Sequence, residues 1–282
     1  MKFSLVMGTV GRTVELERFL DALAAQSMPD FELIIVDQNE EAVLSPLLAK
    51  YPHLPRLRHL RVGFRGLSRA RNAGLALARG EIVAFPDDDC WYPPDLLERI
   101  DAFFSSRPEC HGVCGRSEDG QGRPNQIPWP AQPAVLSSRS VWKCAISYTV
   151  FLRADAVRSV GMFDESLGVG AGTPWGSGEE TDFLLRALAH GYCLRYEPSY
   201  SVCHPSLSTV DDAALLHRAR SYGRGMGYVL RKHGTPVWFC AWMLFRALGG
   251  AALALATLNF RRALFHWNVL RGRAGGLLGR QC

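Results

Sequence analysis

The chain of 282 residues is 48% hydrophobic and 21% charged, an ordinary globular balance that can bury a sizeable core in one large domain or in one domain with an appendage. Eight cysteines, at 90, 110, 114, 144, 193, 203, 240 and 282, form no Cys-x-x-Cys pair; this excludes a zinc ribbon and suits small buried residues of a reduced cytoplasmic protein. The net charge of +5 is unevenly spread, with no Asp or Glu from Arg218 to the end, which suits an anionic membrane surface or a phosphorylated substrate; no nucleic-acid recognition motif accompanies it.

Phe3 to Met7 reads as a buried strand followed by a Gly-containing loop, and its apolar run is too short for a signal peptide. Leu16, Phe19, Leu20 and Leu23 recur at helical spacing and give the next helix one apolar face. Phe31 to Val36 is a second strand ending at Asp37, Leu44 to Lys50 is expected to be helical, and Leu57 to Val62 is a third strand. Ser68 is placed as the N-cap of a helix running through Arg79, with Gly80 as its stop. Ile82 to Phe85 is the fourth strand, and Pro94 is expected at the first position of a helix carrying Leu96, Leu97 and Ile100. Strands alternating with helices over the first hundred residues argue a parallel α/β sheet. Beyond them, 118–144 reads as a long loop, 166–178 as a Gly-rich binding loop or lid, and Glu179 to His190 as a helix stopped by Gly191.

The carboxylates Asp87, Asp88 and Asp89 follow directly on the fourth strand, and Asp37 ends the second. Strand carboxyl ends are where open α/β sheets bind ligands. Adjacent anions repel, so they ask for a compensating cation. A hard divalent ion supplies one, and Mg²⁺ is typically held by one or two carboxylates plus substrate phosphates. A solvated acidic turn is the plainer alternative for this stretch.

Read together, several segments resemble the family 2 glycosyltransferases of the GT-A fold: MGTVGR, FELIIVDQN, GLSRARNAGLALARGEIVAF, PDDDCWYPPDLL and WGSGEETDFLLRALAHGY occur in the family order. The resemblance covers roughly residues 3–204. It implies a mostly parallel central sheet flanked by helices and a nucleoside diphosphate sugar donor. It also implies Mn²⁺ or Mg²⁺ on the donor's pyrophosphate and a single in-line displacement with inversion. Asp89 takes the place of the family's metal-binding aspartate, and His204 matches a histidine that closes the metal site. Asp87 and Asp88 would lie near the ribose and the metal's water shell, and Asp37 would face base and ribose. Gln38 stands where a second acid commonly reads the base, and Val10 where an aromatic commonly stacks on it. Thr9 and Arg12 match the N-terminal loop, and Arg71 the nucleotide-contacting Arg of the ARN segment. Glu180 aligns with the catalytic aspartate as general base, with Glu179 before it and Asp182 after it. Trp175 is placed to stack on a sugar face. For the acidic turn, stabilisation of a helix start through its dipole is the structural alternative.

The stretch 237–260 is long enough to cross a bilayer, but Arg246 sits near its middle, and a central Arg costs about 2.5–3.5 kcal/mol on insertion scales. The following RRALFHWNVLRGRAGGLLGR has the composition of an interfacial helix. A helical hairpin lying on or dipping into the cytoplasmic leaflet is therefore expected, with a true span and a buried core helix as alternatives. The expectation is a GT-A domain over 1–210 and a membrane-associating helical region over 211–282. The chain is read as an inverting, metal-dependent glycosyltransferase on the cytoplasmic face of the cell membrane. It would serve a saccharide or lipid-linked acceptor in cell-surface polysaccharide or glycolipid synthesis. A nucleotidyltransferase of related architecture and a degenerate, non-catalytic sugar-binding subunit are the alternatives.

Overall fold

The computed structural model describes residues 1–54, 56–205 and 212–279. They divide into two compact units, one within Met1–Arg65, Arg69–Phe163 and Phe183–Leu207, the other within Gly66–Ser68, Asp164–Asp182 and Ser208–Cys282. The boundary expected between 210 and 211 lies outside the described residues, as does Cys282. The seven described cysteines are all unbridged.

The first unit is built on one eight-stranded sheet. Its strands are β1 (Phe3–Thr9), β2 (Phe31–Asp37), β3 (Leu57–Arg61), β4 (Ile82–Ala84), β5 (Gly112–Glu118), β6 (Ala134–Val135), β7 (Val150–Arg153) and β8 (Leu194–Cys203). They lie in the order β3-β2-β1-β4-β7-β5-β8-β6. β1 pairs in parallel with β2 and β4, β2 with β3, and β5 with β8; β7 runs antiparallel between β4 and β5, and β6 antiparallel on β8. The largely apolar strands β1 and β2 are buried on both faces, the rule for parallel strands covered by helices, and the polar residues Ser4 and Glu32 bond each other at 2.6 Å.

Helices α1 (Val14–Ala24), α2 (Ser45–Leu48), α3 (Leu67–Leu75), α4 (Leu96–Ser106), α5 (Ala154–Val160) and α6 (Glu179–Ala189) follow in chain order. Leu16, Phe19, Leu20 and Leu23 of α1 are buried, as their spacing predicts, and pack in one core with Phe3, Leu5, Phe31 and Leu33. The stop at Gly191 is a left-handed residue at φ 79°. Its N–H donates to the Leu188 carbonyl at 3.0 Å, and that of Tyr192 to Ala187 at 3.2 Å, the paired bonds of a Schellman cap.

Several local expectations are corrected. α3 starts two residues early, at Leu67, and ends at Leu75; Ser68 is inside it, and its hydroxyl donates to the Leu167 carbonyl at 2.6 Å instead of capping. Gly80 does not end that helix. A side chain there would collide with the backbone of Phe3 and Ser4, so the residue is small for close approach. Pro94 lies two positions ahead of α4, and its carbonyl accepts from Ser27 N–H at 2.8 Å. The helix expected over Leu44 to Lys50 is confined to Ser45–Leu48. The long loop 118–144 holds the two-residue strand β6, too short for any periodicity to mark.

The second unit contains α7 (Asp212–Lys232), α8 (Val237–Ala256) and α9 (Phe260–Leu277). α7 and α9 meet through glycines: a Cβ at Gly223 or Gly227 would run into the backbone of Val269 or Arg273, and one at Gly272 or Gly276 into that of Arg220 or Arg224. These small-xxx-small pairs let two helix backbones touch. Asn259 caps α9 by accepting from Arg262 N–H at 3.0 Å. α9 also reaches α8, where Arg273 Nη1 donates to the Met243 carbonyl at 2.7 Å. Phe239, Met243, Ala247, Ala251 and Ala254 form the buried face of α8.

Candidate active site

Because β7 reverses direction once between β4 and β5, strands β5 and β8 run the same way as β4. The carboxyl ends of β1, β2, β4, β5 and β8 therefore share one edge of the sheet. Thr9 and Asp37 are the paired last residues of β1 and β2, Asp87 to Asp89 follow β4, and His204 follows β8. Rigid strands thus deliver residues that are far apart in sequence to one place.

Each carboxylate has specific partners. Asp87 accepts from Arg71 Nη2 at 3.0 Å. Arg71 is fully buried, with its guanidinium 5.7 Å from the Phe163 ring centre. Asp88 accepts from the Thr9 hydroxyl at 2.7 Å and from Arg12 Nη1 at 2.9 Å. Arg12 is also in tight contact with Asp89. The other oxygen of Asp89 lies 3.1 Å from His204 Nε2. Asp37 is fully buried and accepts from Asn39 and, at 2.8 Å, from His59 Nε2 on β3. Gln38 is buried beside it, its N–H donating to the Thr9 carbonyl at 3.0 Å, whereas Val10 is exposed.

The charges divide this cluster. Burial pushes the Asp88 carboxyl above its ordinary value, more than Arg12 and Thr9 pull it back. Burial acts on Asp89 too, but His204 and Arg12 outweigh it and hold that carboxyl down at about 2. His204 is the counterpart: burial lowers it, yet Asp89 and the Pro205 carbonyl raise it above 6.5 overall. His204 is held from behind as well. Its Nδ1 lies 2.8 Å from the Pro205 carbonyl and 3.0 Å from Gln126 Nε2, and its ring stacks on Tyr148 at 5.0 Å.

In the second unit, the acidic turn opens α6 after the Gly-rich segment. Glu179 and Asp182 are buried, while Glu180 between them keeps partial access to solvent. The Glu179 carboxylate lies over Gly168 and Ser68. Asp182 accepts from Lys232 Nζ at 2.8 Å and from His233 Nε2 at 2.9 Å. Trp175 is buried and stacks on Tyr228 of α7 at 5.0 Å, so one ring face is taken by protein. The structure thus gathers Thr9, Arg12, Asp37, Gln38, Arg71, Asp87, Asp88, Asp89 and His204 in the first unit, and Trp175, Glu179, Glu180 and Asp182 in the second.

Residue-by-residue reading does not find His59, Gln126, Tyr148, Lys232 or His233. Each is a lone polar or aromatic residue with no local pattern, and its partner is distant in sequence. The nearest signal is for Gln126, which belongs to the long loop already marked as irregular.

Known proteins resemble this chain in sequence and in fold. An uncharacterized glycosyltransferase of Bacillus subtilis, YwdF, is 34% identical over 100 residues, 36% of this chain and 37% of the relative. The chain therefore matches little more than a third of that protein's length. The poly(ribitol-phosphate) beta-N-acetylglucosaminyltransferase TarS of Staphylococcus aureus is 28% identical over 152 residues, 50% of this chain and 26% of the relative. The structure of TarS 1–349 in complex with UDP-GlcNAc superposes with a TM-score of 0.61 at 17% identity, covering 99% of this chain and 92% of that one. A mannosyltransferase from Pyrobaculum calidifontis, solved with GDP-Man and Mn²⁺, gives 0.65 at 15% identity over 99% and 88%. At such identities the likeness is one of fold, the GT-A arrangement of a central sheet flanked by helices. The sequence pattern of Glycosyl transferase family 2 fits residues 4–156, from β1 through the Asp87–Asp89 turn to α5, and on that match the chain belongs to this family.

Proposed function

We propose that the protein is an inverting glycosyltransferase that uses a nucleoside diphosphate sugar and a divalent metal, acting at the cytoplasmic face of a membrane on a saccharide or lipid-linked acceptor. The observation that carries this reading is the Asp89–His204 pair, set beside Asp87 and Asp88 on the ligand-binding edge of a family 2 sheet. Family membership sets the nucleotidyltransferase alternative aside.

The donor set suits a hard or borderline divalent ion. Among the described residues no group of three His, Cys, Asp or Glu side chains is assembled, but two protein ligands suffice when diphosphate oxygens and water complete the shell. The Pro205 carbonyl at His204 Nδ1 is the outer-shell partner expected of a ligating imidazole, fixing the ring with Nε2 toward Asp89. Bound by Asp89 and His204, Mn²⁺ or Mg²⁺ would neutralise the leaving diphosphate as a Lewis acid.

The chain's own residues do the rest. Thr9, Arg12 and Arg71 hold the carboxylates in register, and Asp37 and Gln38 face the nucleoside. Glu180 takes the proton. The acceptor hydroxyl oxygen bonds to the anomeric carbon as the bond to the diphosphate breaks, and the leaving group keeps that electron pair. The hydroxyl proton passes to the Glu180 carboxylate in the first turn of α6. Glu180 is favoured over Glu179 because it alone of the three turn acids is partly accessible. Glu179, Asp182 and Trp175 hold the segment that carries it.

Membrane attachment is supported by α8, 20 residues that are long and apolar enough to cross a membrane. Trp238, Trp242, Phe245 and Leu248 stand exposed along the helix at intervals of three and four, with Leu255 two turns further on, opposite the face packed on α9. Arg246 lies over the Trp242 ring at 5.0 Å, and Arg261 and Arg262 follow in α9. An apolar stripe edged by arginines fits an interfacial helix on anionic lipid better than a span.

Transfer assays and donor titrations on two variants test the mechanism. Glu180→Gln keeps the shape and removes the base, so turnover should drop by about 10²–10⁴-fold with donor affinity preserved. Asp89→Asn should lose the Mn²⁺-dependent part of donor binding. Full turnover in the first, or unaltered Mn²⁺ dependence in the second, rejects the corresponding role. A donor that binds wild type without any transfer would favour the sugar-binding subunit.

A further inference from the structure

The two ends of the segment Asp164–Asp182 are closed by a single cation. Lys232 Nζ, at the last residue of α7, lies 2.7 Å from Asp164 Oδ2 and 2.8 Å from Asp182 Oδ1. Asp182 is fully buried, and His233, the residue that follows α7, also lies against it, its Nε2 2.9 Å from Oδ1. A buried carboxylate stripped of its cation is strongly destabilised, so the position of this turn depends on α7. Between the two ends the segment follows the same helix. Ser177 Oγ donates to the Tyr222 carbonyl at 2.9 Å, Gly176 N–H to that of Ser221 at 3.3 Å, and Trp175 stacks on Tyr228. Gly225 is a glycine because Ser177 lies against its backbone. Glu179 and Glu180 thus stand on a segment moulded to α7, and α7 in turn is seated on α9 through the glycine pairs.

We propose that Lys232 is a positioning residue for the Glu179–Glu180 turn, and that the C-terminal helices are thereby a working part of the catalytic apparatus as well as an attachment. This rests on the assignment of Glu180 as the base. Removing the clasp shifts the start of α6 without touching a donor-binding residue. A displacement of about 1 Å in a reacting group costs on the order of 10²-fold in rate.

The test compares Lys232→Met, Lys232→Arg, Asp164→Asn and Glu180→Gln in the full chain, reading turnover, donor affinity by calorimetry with Mn²⁺ and a nucleotide sugar, and thermal unfolding. Lys232→Met should lose about 10–10²-fold in kcat with donor affinity unchanged, and Lys232→Arg should recover most of it by restoring the charge. A merely structural lysine would lower donor affinity and kcat together or neither. Wild-type kcat in Lys232→Met, alongside a collapse in Glu180→Gln, overturns the inference while leaving the base in place. Wild-type kcat in Glu180→Gln removes the base assignment itself. Should Lys232→Met fail to fold, Asp164→Asn opens one end of the clasp and keeps the buried pair; it too should lose kcat at constant donor affinity, and full activity there overturns the proposal.

Discussion

Asp88 and Asp89 are neighbours with opposite electrostatic fates. Both are withdrawn from water, but only Asp89 has an imidazole as well as Arg12 beside it. The Asp89–His204 pair therefore makes stability depend on pH in a defined window. Asp89, held down at about 2 from 3.8, contributes stability present above 3.8 and lost as pH falls through the folded value. His204, raised above 6.5, contributes stability present below 6.5 and lost as pH rises through its folded value. In chelator the pair should stabilise most in weak acid, and His204→Gln should erase that advantage. Melting curves of both proteins from about pH 5 to about pH 9 check this: the gap between them should close toward high pH, and a constant gap contradicts the pairing.

Helices α7 and α9 show what a packing device made of absent side chains requires. Each glycine of the two pairs faces backbone of the other helix, so any side chain there must separate the pair. Gly227→Leu is expected to destabilise the helical unit by about 1–3 kcal/mol or more, as overpacking of a close contact does. Limited proteolysis should then cut within α8 or α9 earlier than in wild type. Equal protection would mean that the contact tolerates a larger spacing. The same contact explains why α7 can serve as a bed for the Gly-rich segment: one glycine set faces α9, while Gly225 faces Ser177.

For the whole molecule, the uneven charge acquires a location. The acid-free end of the chain folds into helices that leave large apolar side chains exposed and arginines nearby. Full burial of one such side chain is worth about 1.5–3 kcal/mol, and 1.4 kcal/mol is about tenfold in partitioning. Trp238→Ser combined with Phe245→Ser should therefore cut binding to phosphatidylserine-containing vesicles by about 10²-fold, and salt should weaken the wild-type interaction. Co-sedimentation measures both. Wild-type protein that ignores such vesicles, or a double variant that binds them equally well, removes the membrane role of α8. The acidic turn belongs to the unit of the C-terminal helices, and Asp89 to the unit of the sheet.

The amino-acid sequence by itself determined whatever is local or periodic. The buried runs of β1, β2 and β4, the apolar face of α1, the stop at Gly191 and the acidic strand ends at Asp37 and Asp87 to Asp89 are read from neighbouring residues, because burial and helix geometry repeat at fixed intervals. Tertiary structure decided every relation between distant residues. The reversal of β7, with β5 beyond it, carried no alternation to announce it, since β7 and the first half of β5 are buried on both faces. Gly80 looked like a helix stop and proved to be a close approach, because a glycine can be required by space as well as by turn geometry. His59 on Asp37, Gln126 on His204 and Lys232 across Asp164 and Asp182 depend on where the backbone brings two chain segments together. A lone lysine or histidine carries no mark of the partner it will meet, so only the folded chain reveals which carboxylate it holds.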